Sequence, residues 1–212
     1  MFYKTQALKV VKFLLAKSSF KLTDASKETG VAIGYVHEII ERLRKKFVVS
    51  SSGEVVLSEP RRLLLTLAAE SSMAERLYST YEFPAKKEQI EYLIATEFGQ
   101  LNYAFTLLSA VDPNTAQGQQ ISIYVDKQSM EKAAEILKKL GARESNIGNV
   151  QVFKGSEGIL FDRKKVGDKY NVSFEQLLID LYAYPPLLYL GQELLAAHEK
   201  RIEIDKEVKQ VG

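Results

Sequence analysis

The segment GVAIGYVHEIIERLRKK, residues 30–46, constrains this chain more than any other stretch. Its apolar positions Val36, Ile39 or Ile40, and Leu43 recur at i, i+3, i+4 and i+7, which is one stripe of an amphipathic helix. The spacing predicts a helix from about Ile33 to Lys46. Ahead of it, DASKET forms a short helix with Thr23 as candidate N-cap and Gly30 as the stop. Ala25 falls where two helices cross closely and a small side chain is needed. Further upstream, Ala7, Leu8, Val10, Val11, Leu14 and Leu15 in TQALKVVKFLLAK have helical spacing, broken at Ser18-Ser19. Downstream, FVVS-SSG-EVVL reads as two strands around a Ser-Ser-Gly turn.

Helix, helix, turn, helix and β-hairpin in under sixty residues is the order of a winged helix-turn-helix. The expected domain spans residues 1–60, with a connecting helix over 61–78 opened by Pro60 and an α+β domain over 79–212. Charge is divided in the same way. Residues 1–62 carry twelve Lys and Arg against six Asp and Glu, whereas residues 63–212 carry 17 against 21. The whole chain has a net charge of only +2, so this asymmetry is the electrostatic feature that points to a polyanion partner.

If residues 33–46 enter a major groove, the candidate base-facing residues are Ala32, Ile33, Gly34, Tyr35, His37, Glu38 and Glu41. Ile33 and Tyr35 suit thymine methyl groups, carboxylates accept from cytosine amino groups, and Gly34 lets the backbone approach closely. Lys27, Arg42, Arg44, Lys45 and Lys46 are the candidate phosphate ligands, and Ser51, Ser52 and Gly53 form the wing tip. Arg61 and Arg62 stand ready to add contacts. The partner implied is double-stranded DNA. One such module reads few bases, so a homodimer or paired monomers on an inverted repeat is expected.

The remainder predicts an α+β domain with a small mixed or antiparallel sheet. YSTYEF, ISIYV, NVQVF, GILF (158–161) and KYNV read as strands. Pro84 is placed to start the helix AKKEQIEYLIATEF. LNYAFTLLSAV is almost wholly apolar and reads as a buried helix. Asp126 is a candidate cap for KQSMEKAAEILKKL, which Gly141 ends. SFEQ (173–176) fits a capping box that opens LLIDLYAY, and Pro185-Pro186 breaks that helix before a long amphipathic one to about residue 208.

Candidate chemistry is sparse. The sequence has no cysteine, which excludes disulfides, thiol nucleophiles and thiolate metal sites. His37 and His198 have no partner at metal-ligand spacing. GSEGILFD invites comparison with nucleotidyltransferases, which hold magnesium with two strand carboxylates after a Gly-Ser turn. Gly155 and Ser156 are followed by Asp162, but position 164 is Lys, so the second carboxylate is missing. Asp180 is expected to face solvent or cap a turn, and DRKK (162–165) to be a solvated turn tip. No catalytic residue, metal or cofactor is assigned. No apolar run approaches the ~18 residues of a membrane span, and no small-residue cleavage site follows Lys4, Lys9 and Lys12, so a cytoplasmic protein is expected. The cysteine-free, Lys-, Glu-, Ile- and Tyr-rich composition has a thermophile character.

The order of elements, with Val172, Ser173, Gln176, Leu177, Asp180 and Leu181 in a V-S-x-x-Q-L-x-x-D-L pattern, resembles the AbiEi family of transcriptional regulators and antitoxins. Tyr103-Ala104-Phe105-Thr106 resembles that family's Y-A-L-T-like helix. Phe174 stands where the family has Pro, and Pro185-Pro186 where it has a glycine-rich break. The resemblance implies an archaeal repressor of its own operon, either as the antitoxin of a type IV toxin–antitoxin system or as a stand-alone regulator. It also implies a functional link to a nucleotidyltransferase-like toxin, without direct binding to it. The alternatives are a nucleotidyltransferase-like enzyme with a DNA-binding appendix, built on Gly155, Ser156 and Asp162, and an antitoxin acting through protein contacts alone.

Overall fold

A computed structural model describes residues 5–17, 19–44, 46–51, 54–112, 115 and 118–211. The chain is α+β and carries two sheets. Helix α1 (Thr5–Ala16), strand β1 (Ser19–Phe20), α2 (Leu22–Thr29), α3 (Ile33–Arg44), β2 (Val48–Ser51) and β3 (Glu54–Leu57) come first. The three strands form an antiparallel sheet in the order β1-β3-β2. Gly30 ends α2 at φ +67°, the left-handed conformation that glycine adopts without a Cβ penalty. Ala25 is fully buried, and Val36, Ile39, Ile40 and Leu43 are the buried stripe of α3. Thr23 does not cap α2. The helix begins one residue earlier, at Leu22, and its N-cap Lys21 makes no side-chain capping bond.

Helix α4 (Pro60–Glu70) leads through the short α5 (Met73–Arg76) into β4 (Leu77–Glu82). Then follow α6 (Lys87–Glu97), β5 (Tyr103–Thr106), β6 (Ile121–Asp126), α7 (Met130–Lys139), β7 (Arg143–Glu144) and β8 (Val150–Gly155). The chain finishes with α8 (Glu157–Leu160), β9 (Lys164–Val166), β10 (Lys169–Asn171), α9 (Phe174–Ala183) and α10 (Leu188–Val211). Strands β4 to β10 form one seven-stranded mixed sheet in the order β7-β4-β8-β6-β5-β10-β9. The β6–β8 and β5–β10 pairs are parallel, and the others are antiparallel.

Alternation along the central strands sorts the side chains between two layers. Ile121, Ile123 and Val125 of β6, with Tyr103 and Phe105 of β5, pack under α6 and α7. Tyr124, Ala104 and Phe153 face the opposite way, against α8 and α9 and Leu8 of α1. This explains why LNYAFTLLSAV is not a helix. Tyr103 to Thr106 are all buried, on both faces of a covered strand, so period-2 alternation of polarity is absent. GILF is likewise not a strand. Ser156 accepts from the Ile159 N–H at 3.3 Å and caps α8. Helix α6 starts at Lys87 rather than at Pro84, after the Ala85 N–H turns back onto the Phe83 carbonyl (2.9 Å).

The core of the first sixty residues is not closed by those residues alone. Val10, Val11 and Leu14 of α1, the α3 stripe and Leu63, Leu64 and Leu67 of α4 share one cluster with Leu178 and Ile179 of α9 and Leu195 of α10. Helix α8 adds a second tie. A Cβ at Gly158 would lie 2.6 Å from the Thr5 carbonyl oxygen, so glycine there permits close approach of α1. Lys12, in the middle of α1, is only 2% exposed and donates to the carbonyls of Gly158 (3.1 Å), Ile159 (3.0 Å) and Phe161 (2.8 Å). It thereby satisfies the carbonyls that end α8.

Candidate nucleic-acid interface

The solvent face of α3 is the surface that sequence spacing singled out. Ile33, Gly34, His37, Glu38, Glu41, Arg42 and Arg44 are exposed along it, with Ile33 at 49%. Tyr35 behaves differently. It is half-buried and packed against the N-terminal core, so only part of its ring remains for contact.

The charges on this face are already paired. Glu38 forms an ion pair with Arg42, and Glu41 forms one with Arg44 at 3.0 Å. His37 Nε2 lies 3.8 Å from the same Glu41. Such exposed pairs, three or four residues apart on a helix, are worth about 0.3–0.5 kcal/mol, so a phosphate can displace the carboxylate at little cost. The carboxylates still reduce the positive field that the arginines present. The E-x-x-x-R and E-x-x-R spacing of α3 is the sequence signal for these pairs.

The neighbouring segments expose further cations. Lys27 is exposed in the last turn of α2, and Lys21 is exposed just before that helix. Sequence spacing gives Lys21 no special place, because it precedes α2 and lies on neither the helix 33–46 nor the hairpin. Lys46 is exposed in the turn after α3, where its N–H donates to the Leu43 carbonyl (3.0 Å). Arg61 and Arg62 are exposed at the start of α4, and the Arg62 guanidinium lies 5.9 Å from the Phe47 ring centre. Phe47 is buried at the foot of the β2–β3 hairpin, whose base is tied by the Ser58 N–H to the Phe47 carbonyl (2.8 Å). Arg62 therefore sits beside the hairpin. Ser51 belongs to β2 and pairs with Glu54, whereas Lys45, Ser52 and Gly53 lie outside the described residues.

The remaining candidates occupy other parts of the molecule. Ser156 is engaged as the α8 cap, and Gly155 ends β8. Asp162 is exposed at φ +57° and forms an ion pair with Lys164. Among the described residues, no three His, Asp or Glu side chains converge as a metal site. Arg163 is not a solvated tip residue. It donates to the Tyr103 carbonyl at 2.8 Å and stacks over Tyr170, 4.4 Å from the ring centre.

Asp180 departs most from expectation, because it is fully buried. Its Oδ2 accepts from Thr106 (2.6 Å), and its Oδ1 accepts from Gln176 Nε2 (2.9 Å) and the Tyr124 hydroxyl (3.0 Å). Burial pushes the Asp180 carboxyl above the usual carboxylate range, against the lowering effect of those donors and of Arg76. Ser173 does cap α9, accepting from the Gln176 N–H at 3.3 Å, but the Gln176 side chain turns to Asp180 rather than closing the box. The network joins α9 to β5 and β6. Only the tertiary fold reveals it, since Thr106, Tyr124 and Asp180 are far apart in sequence.

No family model, no curated protein and no solved structure matches this chain. Among the described residues, no helix is long and apolar enough to cross a membrane.

Proposed function

We propose that the protein is a sequence-specific DNA-binding transcriptional regulator of the cytoplasm, acting as a repressor of its own operon. Residues 1–62 work as a winged helix-turn-helix, with α3 in the major groove and the β2–β3 hairpin as the wing. The observation that carries this reading is the exposed α3 face ending in Arg42 and Arg44, on the basic part of an otherwise acidic chain that also exposes Lys27, Lys46 and Arg62. Ile33 and His37 supply direct contacts, while the cations supply affinity and DNA shape supplies much of the selectivity. The AbiEi resemblance adds the antitoxin role, and it rests on the order of elements and the α9 pattern, since Tyr103–Thr106 is a strand and not a helix.

A gel shift of the full chain with its own promoter, at two salt concentrations, tests the proposal. Affinity in the nanomolar range that falls steeply with salt is the expected result, and equal weak binding to any duplex would overturn sequence specificity.

A second reading has specific support. The half-buried Tyr35, the arginines paired with Glu38 and Glu41, and the exposed Ile33 and Val49 suit a protein-binding surface. Under that reading the full chain binds no promoter DNA but retains a protein partner. The isolated segment 1–62 is not a fair probe for either reading, because Leu178, Ile179 and Leu195 complete its core.

A further inference from the structure

We propose that the cleft between the end of α1, helix α2 and the start of α9 binds a free α-amino acid with an apolar side chain. The cleft encloses about 240 Å³, below the roughly 300–1,000 Å³ of sites for drug-sized ligands, so its occupant is small. Ala16 and Lys17 at the end of α1 and Glu28 of α2 line it together with Phe161, Lys164 and Glu175 from the second half of the chain.

Charge on the walls selects the ligand. Lys17 and Glu28 are exposed and Glu175 is half-buried, so both signs of charge present surface to an occupant. None of the three makes an ion pair or a side-chain hydrogen bond among the described residues. Elsewhere on this chain, exposed opposite charges close on each other, as Glu38 does on Arg42 and Asp162 on Lys164. Across this cleft they are held too far apart to pair. A zwitterion bridges them, its ammonium meeting Glu28 and Glu175 and its carboxylate meeting Lys17. A ligand with one charge leaves the opposite wall without a partner, and an uncharged ligand leaves both. Lys164 is taken by Asp162, and Lys12 beneath the cleft is held by the carbonyls of Gly158, Ile159 and Phe161, so neither adds a free positive charge. The half-buried Phe161 ring and the exposed Ala16 supply apolar surface for the ligand's side chain.

The location gives the site a consequence. Lys17 and Glu28 belong to the first sixty residues, whereas Lys164 lies in the seven-stranded sheet and Glu175 in the helix that follows it. An occupant therefore ties the two parts together, beside the contact that Lys12 already makes with α8.

The test uses the full chain with L-leucine, against isocaproate, which lacks the ammonium, and isoamylamine, which lacks the carboxylate. Saturation-transfer NMR at neutral pH follows all three. Leucine is expected to bind at millimolar concentration or below. Each analogue is expected to bind about five-fold more weakly, the factor for an exposed ion pair at the upper end of its strength. Glu28→Gln and Lys17→Gln change exposed positions and are expected to leave the melting curve unaltered. Each is expected to weaken leucine about three-fold to five-fold, and either carries the test if the other fails to fold. Three results overturn the proposal: leucine does not bind, an analogue binds as well as leucine, or leucine binding is unaltered in the variants that fold. No DNA enters the experiment, so its outcome is separate from that of the gel shift.

Discussion

The α3 face and the α1–α8 contact use charge in opposite ways. On α3, Arg42 and Arg44 lie in solvent beside Glu38 and Glu41, and each pair is cheap to make and to break. At the α1–α8 contact, Lys12 is held out of water by three carbonyls, and in the neighbouring layer Asp180 is held by three donors. Buried groups such as these are costly to desolvate and costlier still to leave unpaired. The first arrangement leaves cations available to a partner. The second locks two parts of the fold together. Sequence alone does not distinguish them, because a lysine in an amphipathic helix and an aspartate in a short apolar helix both look like surface residues.

The comparison breaks most readily at Asp180. Asp180→Ala leaves the Thr106 and Gln176 donors without this acceptor and Tyr124 with only the Met73 Sδ (3.0 Å), in a place no solvent reaches. A loss of about 3–5 kcal/mol is expected in urea unfolding. A loss under about 1 kcal/mol would show that the network is dispensable.

Lys12 comes next, and its effect depends on pH. Burial lowers its pKa from 10.5 to about 8, with Glu175, Asp180 and Asp162 opposing the shift. The folded state therefore releases this proton at lower pH than the unfolded chain. Between about pH 8 and 10.5 the unfolded state binds more protons, so the contribution of Lys12 to stability rises with pH. Lys12→Met, which keeps the length and removes the charge, should lack that rise. The difference between the two proteins should change by on the order of 3 kcal/mol across the window. Parallel pH profiles would mean that Lys12 titrates normally.

Smaller effects are expected on the exposed side. Arg44→Ala and Lys46→Ala should leave stability within about 0.5 kcal/mol. Each should weaken DNA binding for all sequences and flatten the salt slope by about one per lost phosphate contact. Unchanged salt dependence in both would remove them from the proposed interface. Glu38→Gln frees Arg42 from its carboxylate and should raise non-specific affinity about two- to five-fold. A drop instead would indicate that Glu38 itself contacts a base.

How much of this was legible beforehand depended on whether one side of an element faces water. The α3 stripe, the Gly30 stop and the Ser173 cap were readable, since each rests on spacing within a few residues. Tyr103–Thr106 was misread because a strand buried on both faces carries no polar alternation, and an apolar run of that kind fits a buried helix equally well. GILF was misread because four apolar residues carry no period, and a capping serine one turn ahead decided the matter. For the candidate interface, the exposed residues of α3 were identified, while the half-burial of Tyr35 depended on its packing against the core.

The sequence by itself determined the helices and hairpin of the first sixty residues, the uneven charge and the absence of thiol chemistry. Local periodicity, chain stops and composition act over short distances, and they are written in adjacent residues. Only the tertiary structure decided that α9 and α10 complete the N-terminal core, that Lys12 ends a helix 146 residues away, and that Asp180 is sealed in the interior. Those outcomes depend on which surfaces meet, and burial changes what a charged side chain does more than its place in the chain does.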